Sequence, residues 1–211
     1  MTESKEDNLA MNAHVDRLID IANSIEPHKF TLLTGSNASG KSVIRKILPM
    51  RIAPKLGIVD ESDMKHCVAS ISLMTRTGSS PFGGPNLAHE TDWDATSINS
   101  LDLVRRILAV TNRYIVLDEP EIGMGEELQL AVVRYLNSVK DTVLANGHGL
   151  LMITHSRILV KELDNDVFIN IDGYPDKQSW LDRELVPTDL DEFENRAQEM
   201  FRAIAARSKT D

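Results

Sequence analysis

Phe30-Thr-Leu-Leu-Thr34, running directly into Gly35-Ser-Asn-Ala-Ser-Gly40-Lys41-Ser42, is the stretch on which the fold turns. Its first five residues form a short apolar and β-branched run, the length of a fully buried strand. The next eight fit G-x-x-x-x-G-K-[ST] at every fixed position. In that pattern the glycines let the backbone curl until its N–H groups face the phosphates of a nucleotide. The lysine reaches the β/γ-phosphates and the Ser hydroxyl ligates Mg²⁺. A helix over Lys41 to about Leu48, stopped by Pro49, adds its positive end to the cradle. A chance match in a glycine-containing turn would lack this strand before and helix after. The ligands implied are ATP and Mg²⁺, with Gly35, Ser36, Asn37, Ala38, Ser39, Gly40, Lys41 and Ser42 as the binding loop.

Three further runs share the character of that strand. Arg113-Tyr-Ile-Val-Leu117 ends in Asp118-Glu119-Pro120, Gly149-Leu-Leu-Met-Ile153 ends in Thr154-His155-Ser156, and Asp166-Val-Phe-Ile-Asn-Ile171 closes in Asp172-Gly173. Val68 to Met74 reads as one more strand within an otherwise irregular stretch, 50–95. Between the runs lie helical periodicities over Ser100–Val110, Glu126 to about Val139, and Arg157–Leu163. Met11, Val15, Leu18, Ala22 and Ile25 mark an N-terminal helix over about 9–26. Leu190, Phe193, Ala197, Met200, Phe201 and Ile204 mark another over about 188–207. Wholly apolar strands alternating with helices predict a mostly parallel sheet covered on both faces. The expectation is one three-layer α/β domain with its core over about 28–175.

Composition narrows the function. The chain has 211 residues, with 32 acidic against 23 Lys and Arg, a formal charge of −9. A broad surface for nucleic-acid backbone should be basic, so nucleic acid is left only a local patch or a partner chain. Cys67 is the only cysteine, which excludes an internal disulfide framework and fits a reducing cytoplasm. Met1 to Asn8 are polar and acidic, unlike a signal peptide. No window approaches 18 uninterrupted apolar residues, so no membrane span is expected.

The strand ends carry the chemistry. At the tip of a parallel strand, Asp118 is placed to hold Mg²⁺ and Glu119 to orient or deprotonate an attacking water. Asp-Glu-Pro after an apolar strand resembles the Walker B segment of ABC-type ATPases. Ile153-Thr154-His155-Ser156 resembles their histidine switch, which touches the γ-phosphate. His14, His28, His66, His89 and His148 carry no such reading. The resemblance implies ATP hydrolysis by Lys41, Glu119 and His155 in a dimer closed by ATP.

In that family a signature segment ahead of the helix before Walker B binds the γ-phosphate held by the opposite subunit. The matching place is Thr96-Ser97-Ile98-Asn99-Ser100, with Ser97 the candidate contact. The spelling departs from the family's, and Asn99 or Ser100 reads equally well as a plain helix cap. Transporter motors of the family carry a Gln between the P-loop and the signature, whereas no Gln precedes Gln129 here. Asn37 in the P-loop is similar to the RecF, SMC and MutS types instead, and Met74-Thr75-Arg76-Thr77-Gly78 and Ile122-Gly123-Met124-Gly125 resemble segments of MutS-type ATPase domains. The expectation is a soluble ATPase of the DNA-repair, chromosome or defence kind, working with an unidentified protein partner. A transporter motor subunit and a P-loop kinase or ligase are the alternatives.

Overall fold

The computed structural model describes residues 5–72 and 96–185, together with 189, 191, 195 and 198. The segment 73–95, which contains the Arg76 motif, lies outside the described residues. So does most of the helix expected over 188–207.

The elements in chain order are α1 (Lys5–Ser24), β1 (Phe30–Thr34), α2 (Lys41–Ile52), α3 (Glu61–His66), β2 (Val68–Ile71), α4 (Thr96–Leu108), β3 (Tyr114–Asp118), α5 (Glu126–Asn146), β4 (Gly149–Ile153), α6 (Arg157–Glu162), β5 (Val167–Asn170) and α7 (Lys177–Asp182). The strands form one sheet in the order β2-β3-β4-β1-β5, every pair parallel. The fold is the α/β class expected.

Alternate residues of each strand feed different cores. Leu33, Tyr114, Val116, Leu151 and Ile153 pack with Leu18 and Ala22 of α1, Ile25 just past its end, and Ile44, Leu48 and Ile52 of α2. Phe30, Leu32, Ile115, Leu117, Leu150 and Met152 face the other way. They meet Val104 and Ile107 of α4, Val132 and Leu136 of α5, Leu159 and Val160 of α6, and Trp180 of α7. A strand side chain points to the opposite face every second residue, so a sheet covered on both sides needs apolar residues at both parities. That is why these strands read as continuous apolar runs.

The two-sidedness also places the site. From β1 the chain travels toward β2 at the far edge, whereas from β3 and β4 it travels the opposite way. Right-handed crossovers in opposite directions put their helices on opposite faces. The loops after β1 and β4, which are neighbours in the sheet, therefore diverge and leave a crevice at the strands' carboxyl ends.

Several boundaries differ from expectation. α2 runs past Pro49 to Ile52, with the Pro49 carbonyl accepting from Ala53 N–H at 3.1 Å. Proline removes its own N–H and crowds the preceding turn, but packing of Leu48 and Ile52 holds the last turn in place. α4 includes Thr96–Ser100, so Asn99 and Ser100 stand within the helix and not at the N-cap position expected of them. α5 continues to Asn146 because Leu136 and Val143 extend its buried stripe. The stretch expected to be irregular contains α3, capped by Asp60, whose side chain accepts from Ser62 N–H. α7 was not expected. It opens with a reciprocal capping box between Asp176 and Ser179 and buries Trp180.

Candidate active site

The P-loop joins β1 to α2 through two left-handed residues, Ala38 (φ 56°) and Gly40 (φ 100°). Alternating handedness turns successive N–H groups toward one concave side, and the first amides of α2 have no intrahelical acceptor. Gly40 is required twice over. A β-carbon there would be strained by the positive φ and would lie 2.4 Å from Leu18 Cδ1 of α1. At Gly35 a β-carbon would come within 2.5 Å of Ser39 Oγ. Behind the loop, His14 Nε2 of α1 lies 3.1 Å from the Ser39 carbonyl oxygen.

Lys41 is 6% exposed and donates to the carbonyls of Gly35 (3.1 Å) and Ser36 (2.7 Å). Burial lowers its pKa to about 8, against the pull of Glu119, Asp172, Asp118 and Glu121. A desolvated ammonium among neutral carbonyls, with carboxylates nearby, is poised to accept a closer anion. Ser36, Asn37 and Ser42 are exposed at the mouth. Asp172, just past β5, accepts from Ser36 N–H at 2.6 Å and Ser36 Oγ at 3.0 Å, tying the outer side of the loop to the sheet.

Asp118 at the end of β3 is mostly buried, and burial raises its pKa, opposed by Arg45. Arg45 Nε lies 3.1 Å from Asp118 Oδ2 as an ion pair. Arg45 stands one helical turn past Lys41, so α2 presents both cations to the same crevice. Ser42 and Asp118 offer the hydroxyl and carboxylate oxygens that Mg²⁺ takes when substrate phosphates and water complete its shell. The donor set fits, with Asp118 having to exchange Arg45 for the metal.

Glu119 has a positive φ of 50° and donates its N–H to the Ile153 carbonyl at 2.8 Å. This left-handed kink turns the chain out of β3 while keeping Glu119 beside the tip of β4. There Glu119 Oε1 lies 2.9 Å from His155 Nε2. The structure thus brings Lys41, Asp118, Glu119 and His155 to one end of the sheet. Ser97 lies in the helical backbone of α4, and its side chain is outside the described residues.

Five residues at or bordering this site were not read from the sequence. Arg45 and Asp172 act through partners remote in the chain, and nothing local marks them. His14, set aside among the unassigned histidines, reaches the P-loop only because α1 packs on α2. Glu121 and Gln129 join the β3 and β4 loops. The one available signal was that Glu121 follows Asp118-Glu119-Pro120, an acidic residue too close to the tip to be remote from it.

No protein-family profile matches the chain. A stretch of 67 residues is 30% identical to a Pyrococcus abyssi protein carrying the name of an ABC transporter ATP-binding protein. The match covers 32% of this chain and 24% of that one, so it spans about a quarter of the relative's length. Among solved structures, C. elegans PCH-2 aligns over 81% of this chain and 43% of its own, at 16% identity and a TM-score of 0.34.

Proposed function

We propose that the chain is an ATP hydrolase of the ABC type, two copies of which close on ATP to drive a conformational change in a partner. The observation that carries this reading is the Glu119–His155 contact at 2.9 Å, formed between the tips of β3 and β4 beside the buried Lys41. A binding module needs the cradle alone, whereas hydrolysis also needs a base and a sensor of the terminal phosphate. The name of the Pyrococcus abyssi relative supports the ABC type. The lack of any Gln before Gln129 favours a soluble branch. The same relative's name keeps a transporter motor as the second reading, which a copurifying membrane subunit would select.

In the proposed reaction Lys41 leaves the carbonyls of Gly35 and Ser36 for the β/γ-phosphate oxygens, and Arg45 releases Asp118. Ser42 and Asp118 would hold Mg²⁺, which would supply positive charge against the charge developing on the phosphates. Glu119, whose carboxylate accepts from His155 at rest, is freed when His155 turns its N–H to the γ-phosphate. Glu119 then takes a proton from water as the water oxygen bonds to the γ-phosphorus and the bond to the β-bridging oxygen breaks. ADP and phosphate leave, and the closed state loses its ligand.

Glu119→Gln tests this assignment. It keeps the size and an acceptor oxygen but not the base. Mg-ATP binding should persist, while turnover falls by about 10²-fold or more, the scale of losing a general base. Wild-type turnover in Glu119→Gln would move the role to another residue.

A further inference from the structure

The loop between β3 and α5 holds a second carboxylate that the proposed reaction leaves unused. Glu121 Oε1 accepts from Thr154 Oγ1 at 2.5 Å and from His155 N–H at 3.1 Å. Its other oxygen, Oε2, is buried with no hydrogen-bond partner. The bonds continue outward. Thr154 Oγ1 accepts from Ser156 N–H at 2.9 Å, and Ser156 Oγ donates to Gln129 Oε1 at 2.6 Å. Gln129 Nε2 in turn donates to the Met124 carbonyl at 2.9 Å. The chain of bonds runs from the β3 loop to the β4 tip and back through the first turn of α5. It holds the backbone on both sides of His155: the residue's own N–H directly, and the next N–H through Thr154.

We infer that Glu121 is a positioning residue, whose Oε1 fixes the 154–156 backbone so that His155 presents Nε2 to Glu119 at rest and to the γ-phosphate once ATP is bound. The inference rests on the ATPase reading for its second half only. A carboxylate with one oxygen buried and unbonded is a costly way to fill a loop, since a buried polar atom without a partner loses its hydration for nothing. Two donors converging on the other oxygen offset that cost. Both donors belong to the two residues that carry the switch, so the constraint falls on His155 and not on the fold at large. Burial pushes the Glu121 carboxyl above its usual range, while the Thr154 and His155 bonds draw it back. The positioning needs an acceptor oxygen and not a charge.

This gives a test that separates positioning from bulk stability. Glu121→Gln keeps one carbonyl oxygen for both donors, and Glu121→Ala removes it. Nitrogen-15 NMR of the nucleotide-free protein reads the protonation and hydrogen bonding of the His155 ring, and steady-state kinetics with Mg-ATP reads kcat and KM. The Gln variant should keep the wild-type ring signature and most of kcat. The Ala variant should show an averaged, solvent-like ring, with kcat down about tenfold or more and KM for ATP within about threefold, the pattern of a lost orientation. If Glu121→Ala does not fold, Glu121→Asp, which withdraws the carboxylate by one methylene, should give the same ring change. An Ala variant with the wild-type ring, or a Gln variant as impaired as Ala, overturns the inference. Wild-type protein without turnover would refute the ATPase reading instead, and the ring signature would still decide the positioning.

Discussion

Lys41 concentrates the conflict between folding and binding in a single residue. Its pKa in the folded protein, about 8, lies below the ordinary 10.5, so between those values the folded chain binds fewer protons than the unfolded one. Stability therefore rises with pH through that window, and the buried charge costs on the order of 3 kcal/mol at neutral pH. Replacing it with an apolar side chain of similar length should recover part of that. Nucleotide-free Lys41→Met is expected to be more stable than wild type at pH 7 by about 1 kcal/mol by denaturant titration, while losing the thermal stabilisation by Mg-ATP. Equal or lower stability would show that the bonds to Gly35 and Ser36 outweigh desolvation. The same pKa governs binding. Only protonated Lys41 attracts phosphate, and its protonated fraction in the free protein falls about tenfold from pH 7 to pH 9 for a pKa of about 8. The Kd for Mg-ATP should weaken by roughly that factor across the interval, measured by calorimetry, and Lys41→Ala should flatten the profile. A flat wild-type profile would mean that Lys41 does not control affinity.

Elements, more than residues, explain what the sequence revealed and what it concealed. β1, β3 and β4 were legible because burial on both faces writes an unbroken apolar run. The P-loop was legible because each of its fixed positions is dictated by local backbone geometry. Arg45, Glu121 and Asp172 were not, since each acquires its role from a partner that only the sheet order brings near. α7 did carry a local signal, Asp176 three residues ahead of Ser179, but after the Gly173 turn nothing apolar and periodic announced a helix. The role of α1 was half legible: its stripe of Val15, Leu18 and Ala22 predicted burial, but not burial against the P-loop. That contact is testable as a coupling. Gly40→Ala meets both a positive φ and Leu18, and should cost about 2 kcal/mol or more. Leu18→Ala alone should cost about 2–4 kcal/mol as a core truncation. The double variant should be less destabilised than the sum by about 1 kcal/mol or more, because the truncation makes room for the new methyl. Strict additivity in denaturant unfolding would show that Leu18 does not press on Gly40, leaving the φ alone to demand glycine.

For the whole molecule the open matter is whether one chain completes the site. Lys41, Asp118, Glu119 and His155 gather at one end of the sheet, and the proposed reaction has a second chain meet the far side of the γ-phosphate. The resemblance to ABC-type ATPases assigns that to a second copy through Thr96–Ser100. The backbone of those residues is helical and forms the amino-terminal part of α4 as described, ahead of β3. Amides and hydroxyls in an early helical turn favour an incoming anion. If two chains share the site, ATP is the adhesive between them, and blocking hydrolysis should make the pair long-lived. Glu119→Gln with Mg-ATP should run at twice the monomer mass in light scattering, and without nucleotide at the monomer mass. Adding Ser97→Glu places a carboxylate where the partner's γ-phosphate would arrive. It should abolish the dimer and all turnover while leaving ATP binding by the monomer intact, because its own P-loop lies elsewhere in the chain. A monomeric Glu119→Gln at saturating Mg-ATP would mean that a different chain completes the site. A dimer unaffected by Ser97→Glu would mean that two copies meet through another surface.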